Sequence, residues 1–151
     1  MGSNIVSIVV VKGDYKDVKE VLEFGKVYHE KSLYKNCTWD YHIARKTLLQ
    51  TIAQNHMCLY VAREKGEVVG FIIGMTDQLF FSKDKMATDL VFIAKKGGAT
   101  LLHLFKKWAS KKQAKLILCA NASGMGDLDK VESFYNQNGL TTVGNMYWRD
   151  L

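Results

Sequence analysis

A change of periodicity at residues 95–98 constrains the fold most, because it joins a strand pattern directly to a helical pattern. The apolar run over roughly 87–94 is typical of a buried strand, and it stops at the joint Lys-Lys-Gly-Gly. Beyond the joint, apolar residues recur at i, i+3, i+4 and i+7 from Leu101 to Trp108, which indicates an amphipathic helix. The segment KLILCA (115–120) favours another strand. A strand, a helix and a strand in this order predict a parallel crossover.

The rest of the chain predicts a mixed sheet around this crossover. Further strand patterns lie at residues 5–11, on both sides of Lys65-Gly66 within 57–75, and in two short runs around Gly144-Asn145. Further helical patterns lie at 18–28, 41–52 and 128–135. The tight turn at Lys65-Gly66 requires an antiparallel hairpin. The order βααβββαβαββ predicts one α/β domain over 1–151, with a mainly antiparallel sheet, a parallel crossover at the glycine loop and flanking helices.

Composition excludes several classes of protein. No apolar run approaches the ~18 residues that a membrane span needs, and the N-terminus lacks the pattern of a signal peptide. Cys37, Cys58 and Cys119 are widely spaced and form no CxxC pair, which predicts a reducing, cytoplasmic compartment without disulfides. The histidines lack a spacing typical of metal ligands, so we expect no metal.

Positive charge is concentrated around the glycine joint. The net charge is +6, and no acidic residue occurs between Asp89 and Asp127, a stretch that holds seven lysines. Such a stretch attracts anions, although it is equally consistent with a solvated helix face. Nucleic-acid binding would need exposed aromatic residues among the lysines, whereas Phe105 and Trp108 fall on the apolar face of the helix. The pattern therefore argues against a nucleic-acid partner and leaves a small anionic ligand open.

The joint itself has the chemistry of a phosphate site. A helix N-terminus offers unpaired N–H groups and the positive end of a dipole, and preceding glycines let those groups approach an anion. Lys95 and Lys96 add charge, but neither a Walker A loop nor a GxGxxG fingerprint is present. A tight turn with small residues for close packing is the alternative, and the local sequence does not decide between the two.

Four segments in this order resemble the GNAT-type N-acetyltransferase family over nearly the whole chain. They are FGKVYHEKSLYKN (24–36), YVAREKGEVVGFIIG (60–74), DLVFIAKKGGATLL (89–102) and ESFYNQNGLTTVGNMYWRDL (132–151). The resemblance implies direct transfer of an acetyl group from acetyl-CoA, used as co-substrate, to a primary amine of a small molecule or protein. It also implies the residues that bind acetyl-CoA: Val91, Phe92, Ile93, Lys95, Lys96, Gly97, Gly98, Ala99, Thr100, Asn121 and Phe134.

The resemblance also implies catalytic roles. Tyr135 would give a proton to the leaving thiolate, and a backbone N–H on strand 90–93 would bind the oxyanion. The base is open among His29, Glu30 and Asp89, and we pair Glu30 with Tyr135 as the catalytic candidates. A core residue is the alternative for Tyr135, but Phe134 could fill the core alone, which favours the catalytic role. A non-catalytic acetyl-CoA sensor on the same fold is the alternative function, and a homodimer stays open.

Overall fold

The centre of the fold is a mostly antiparallel β-sheet. The computed structural model describes residues 7–120 and 124–151. Within these ranges the sheet has five strands in the spatial order of the chain: β1 (Ile8–Lys12), β2 (Met57–Glu64), β3 (Glu67–Gln78), β4 (Lys85–Ala94) and β5 (Ala114–Leu118). Neighbouring strands from β1 to β4 are antiparallel, and β5 runs parallel to β4. The predicted α/β fold class, with its parallel crossover at the glycine loop, is confirmed.

Helices cover both faces of this sheet. They are α1 (Val18–His29), α2 (Tyr41–Ala53), α3 (Gly98–Lys111) and α4 (Leu128–Gln137). Side chains of Asp40 and Asp127 accept hydrogen bonds from the first turns of α2 and α4, which fixes where these helices begin. None of the helices in the described ranges is long and apolar enough to cross a membrane.

Strand alternation divides the core in two. Leu59 and Val61 of β2 pack with α1 and α2 on one face, while Cys58 and Ala62 pack with α3 on the other. The same division continues on β4, where Val91 and Ile93 pack with the first cluster and Phe92 packs with the second. Alternate residues of β4 therefore face the α1 and α2 side of the sheet, and the residues between them face the α3 side.

The two closing strands predicted around Gly144-Asn145 are absent. Residues 141–151 have no regular structure, and Tyr147 and Trp148 are 87% and 61% exposed. The runs on either side of Gly144 are short, and strand preference depends on a partner and on burial rather than on residue type alone. The tail contacts α4 through Thr142 and Asn136, 3.4 Å apart, and β5 is left as an outer strand of the sheet.

Removal of the tail is therefore expected to leave the fold intact. A chain that ends at Leu140 keeps the partly buried side chain that packs on the α3 cluster, and loses only exposed side chains. Exposed substitutions change stability by about 0.5 kcal/mol or less, so the thermal midpoint should move by only ~1–2 °C. Differential scanning calorimetry of both chains checks this. Loss of a cooperative transition in the shortened chain would show that residues 141–151 support the sheet.

Candidate active site

A cleft begins where β4 and β5 separate. The two strands pair only from Lys85 to Thr88 on β4, opposite Ala114 to Leu118 on β5. On its other edge β4 carries a bulge, because Ile73 pairs with Val91 and Gly74 pairs with Asp89, which leaves Leu90 as an extra residue. A bulge takes one residue out of the ladder and re-aims its neighbours. Residues 89–94 thus form an open wall rather than the middle of a sheet.

The N-terminus of α3 lies at one end of this wall. Gly97 takes a left-handed conformation with φ 79°, and its carbonyl accepts the N–H of Leu101 at 3.0 Å. A Cβ on Gly97 would lie 3.1 Å from the side chains of Ala62 and Ile8, so both conformation and space require glycine. No side chain caps α3, and its first turn has no acidic residue. The N–H groups of the first turn are therefore available to an anion.

The two lysines before α3 have different surroundings. Their backbone N–H groups donate to the carbonyl of Val69, at 2.8 Å from Lys95 and 3.4 Å from Lys96, which attaches the turn to β3. The Nζ of Lys96 lies 2.9 Å from the carboxylate of Glu64, so part of its charge is balanced within the protein. The side chain of Lys95 is exposed. Of the two, Lys95 is the better placed to meet a ligand phosphate in solution.

A cavity of about 910 Å³ runs along the open wall of β4. It brings together six of the site residues predicted from the sequence: Val91, Phe92, Ile93, Gly98, Phe134 and Tyr135. The other predicted residues of the loop, at 95–97 and 99–100, adjoin Gly98 along the chain. Asn121 lies outside the described residues. Glu30 follows the end of α1 with its side chain exposed, and it does not line the cavity.

Asp89 lies at the point where the strands part and faces the same cavity. Its Oδ1 accepts the N–H of Ala120 at 3.3 Å. Burial raises the pKa of this carboxyl to about 6, although the hydrogen bond from Ala120 opposes the shift. A carboxylate with this pKa is mostly ionised at neutral pH and can still accept a proton. Asp89 thus has a position and a pKa that suit a base. From the sequence it was one of three candidates for this role.

Tyr135 and Cys119 complete the polar group around Asp89. Burial raises the pKa of Tyr135 well above its ordinary value, and nearby Asp89 and Cys119 add to the effect. Burial, reinforced by Asp89, also raises the pKa of Cys119 to about 12. Both groups are therefore protonated at neutral pH. The ring of Tyr135 packs against those of Phe92 and Phe134, with centroids 6.5 Å and 5.3 Å apart, and these contacts hold the phenol in place.

His29 is another of the three base candidates named from the sequence. It ends α1, lines the cavity and lies beside Trp39, with ring centroids 5.4 Å apart. Its Nδ1 is buried and has no hydrogen-bond partner within the described part of the chain. A buried nitrogen without a partner is costly, so this atom is available to a ligand. Residues 7–120 and 124–151 contain no cluster of three or more side chains suited to a metal ion.

Comparison with solved structures places this geometry in a known architecture. Glucosamine-6-phosphate N-acetyltransferase from Arabidopsis thaliana superposes with a TM-score of 0.73 and 9% identity, covering 95% of this chain and 98% of that chain. An acetyltransferase from Trypanosoma brucei gives a TM-score of 0.69 and 12% identity, covering 96% and 100%. The chain has the fold of the GNAT-type N-acetyltransferases.

Among the comparisons with known proteins, those with solved structures identify the GNAT fold. No protein-family profile matches the sequence, and no curated protein matches it. A transcriptional regulator from Bacillus halodurans also shares the fold, with a TM-score of 0.71 and 13% identity, covering 96% of this chain and 100% of that chain. At such identities a shared fold does not fix the activity, so the function has to be argued from the site.

Proposed function

We propose that this protein is an acetyl-CoA-dependent N-acetyltransferase that moves an acetyl group directly to a primary amine. The observation that carries the proposal is the single cavity lined by the first residue of α3, the open wall of β4, Asp89 and Tyr135. An anion site, an oxyanion donor, a base and an acid are the four groups that this reaction uses.

On the donor side, the pyrophosphate of acetyl-CoA would lie against residues 95–100. The amides of the first turn of α3 and the exposed Lys95 supply the positive potential there. The pantetheine arm, which carries two amide groups, would follow Val91, Phe92 and Ile93, because this part of β4 has no β5 neighbour to use its backbone polar groups. Phe134 lines the cleft beside the start of α3, since a Cβ on Gly98 would lie only 3.4 Å from its ring.

On the acceptor side, Asp89 would hold the substrate as an ammonium ion and then take its proton. The neutral amine nitrogen attacks the thioester carbonyl, and a backbone N–H of the bulged segment 90–93 stabilises the oxyanion that forms. When the carbon–sulfur bond breaks, Tyr135 donates its phenolic proton to the leaving thiolate. The nitrogen, which carries one proton too many after its attack, returns a proton to the Tyr135 phenolate, and Asp89 releases its proton to solvent, so both groups regain their starting states. The raised pKa of Tyr135 keeps that proton available over the neutral range.

A non-catalytic acetyl-CoA sensor is the second candidate function. The regulator from Bacillus halodurans shows that the GNAT fold also occurs in a protein described by regulation rather than by catalysis. A sensor would use the α3 site and leave Asp89 and Tyr135 without a chemical task. Turnover on an amine therefore separates the two candidates.

The donor site can be tested with one added charge. Thr100→Glu places a carboxylate in the exposed first turn of α3, where it should stabilise the helix by ~0.3–1 kcal/mol. The same charge should repel the pyrophosphate and weaken acetyl-CoA binding by at least ~10-fold, which is ~1.4 kcal/mol. Isothermal titration calorimetry measures the affinity, and thermal melting shows that the fold is kept.

Ser110→Glu is the matched control for this experiment. It adds the same charge at an exposed position near the other end of α3, about 15 Å away at the ~1.5 Å rise of a helix. We expect its acetyl-CoA affinity to equal that of the unmodified protein. Equal affinities in the unmodified chain and both variants would place the pyrophosphate away from residues 95–100.

A further inference from the structure

The part of the cavity beneath α1 and α2 is lined mostly by apolar and aromatic side chains. Its walls come from both helices, from the segment between them and from β3. The polar residues there are His29, Ser32, Tyr34 and Thr47, and the apolar and aromatic ones are Val21, Leu22, Tyr28, Trp39, Ala44, Leu48, Phe71 and Ile73. A concave site of this kind binds ligands by excluding water from apolar and aromatic surface, with few polar groups to set orientation. The body of the acceptor should therefore be apolar.

The charge around the cavity fits one ammonium group. Two carboxyl groups line it among the described residues, those of Asp89 and Asp127. Asp127 is occupied as the cap of α4, because it accepts the N–H groups of Asp129 at 2.9 Å and Lys130 at 3.3 Å. Lys130 also lines the cavity and would repel a cation. A polyamine or an aminoglycoside carries several ammonium groups and would need several carboxylates.

The imidazole of His29 offers a hydrogen-bonding position for a polar group on the acceptor. The buried Nδ1 of His29 has no partner within the described part of the chain, and the ring of Trp39 lies beside it. A hydroxyl carried on an aromatic body could donate to this nitrogen while the ring packs on Trp39. Such a ligand would remove the cost of the unpaired nitrogen.

The size of the acceptor end depends on Gly25. This glycine lies inside α1, where it costs ~1 kcal/mol relative to alanine. A Cβ there would lie 3.6 Å from the ring of Phe71 and 3.8 Å from that of Trp39, which are ordinary contact distances. A Cβ at this position would therefore not clash with its neighbours, so packing alone does not require glycine here. Gly25, Phe71 and Trp39 all line the cavity, so a side chain longer than that of alanine at this position would extend into it.

We infer that the acceptor is a monoamine with an aromatic body, whose ammonium group meets Asp89 and whose ring lies between Gly25, Phe71 and Trp39. The inference rests on the proposed function for the amine chemistry. Its test is designed around binding, so that it does not depend on turnover.

Binding of amines to the protein saturated with CoA tests the inference directly. Tyramine and 2-phenylethylamine should bind at least ~10-fold more tightly than spermidine or kanamycin, and tyramine should bind more tightly than 2-phenylethylamine. Gly25→Leu should weaken binding of both aromatic amines by ~10- to 100-fold, because it fills the space between the rings. Its affinity for CoA should be unchanged. Isothermal titration calorimetry gives all of these values.

Two further variants keep the test interpretable. Val27→Leu lies on the exposed side of the same helix and should bind every amine as the unmodified protein does. Gly25→Ala adds only a methyl group at contact distance, so it should fold even if Gly25→Leu does not, and it should weaken aromatic binding by a smaller factor. The inference would be overturned if spermidine or kanamycin bound more tightly than the aromatic amines. It would also be overturned if both Gly25 variants bound the aromatic amines as tightly as the unmodified protein does. Aromatic binding without acetylation would support the aromatic-amine site and contradict the proposed function, because the bound amine would then not be an acceptor.

Discussion

Tyr135→Phe should lower kcat for amine acetylation by ~10²- to 10⁴-fold, the range for a positioned general acid. The substitution removes the phenolic proton and keeps the ring, together with its contacts to Phe92 and Phe134. The affinity for acetyl-CoA and the thermal midpoint should therefore stay close to those of the unmodified protein. Thiol release from acetyl-CoA in the presence of tyramine measures the effect.

Tyr135→Ala separates catalysis from packing. It removes the ring as well as the hydroxyl, so turnover should fall and so should the thermal midpoint. Because Tyr135 is only partly buried, we expect the free energy of unfolding to fall by ~1–3 kcal/mol. If Tyr135 were only a core residue, the Phe variant would keep full turnover and the Ala variant alone would fail. A Phe variant with full turnover would therefore end the assignment of Tyr135 as the acid.

Asp89→Asn should inactivate the enzyme and stabilise the fold. Loss of the base should lower kcat/KM by ~10²- to 10⁴-fold. Because the carboxyl pKa is raised to about 6 in the folded protein, the folded state holds its proton more tightly than the unfolded state does. Stability contributed by Asp89 is thus greatest at low pH and is lost as pH rises to about 6. At neutral pH the neutral amide avoids this cost, so the thermal midpoint should rise.

The pH dependence of the proposed reaction follows from the same carboxyl. Acetylation should require ionised Asp89, so kcat/KM should rise with pH through about 6. Asp77→Asn is the control, because it removes an exposed carboxyl of β3 that does not line the cavity, and it should change neither activity nor stability. An Asp89→Asn variant with full activity, or with a lower thermal midpoint, would contradict the role given to Asp89.

The elements that the sequence predicted well are those whose signal is local. The switch from strand to helix at residues 95–98 depends on glycine conformation and on helical spacing, and α3 begins at Gly98 as expected. Asp127 caps α4 for the same reason. The hairpin at Lys65-Gly66 also forms, with both residues at positive φ. In each case a few neighbouring residues determine the backbone.

Features that depend on pairing between distant segments were harder to predict. The bulge at Leu90 and the parting of β4 from β5 are set by register with strands elsewhere in the chain, so no local pattern marks them. The same pairing places Asp89, one of the three base candidates, in the wall of the cavity. The predicted closing strands are wrong: the short runs around Gly144 do not show whether another strand pairs with them, and among the described residues 141–151 pair with none.

Mass spectrometry of an acetylation reaction tests the central claim most directly. The protein is incubated with acetyl-CoA carrying a labelled acetyl group and with tyramine, and both the amine and the protein are analysed. We expect one labelled acetyl group on the amine nitrogen, with free CoA formed in equal amount, and neither product in the Tyr135→Phe and Asp89→Asn variants above a small fraction of the normal rate. Tight binding of acetyl-CoA without acetylation of tyramine or of any other amine tested would contradict the account and favour a sensor on the GNAT fold.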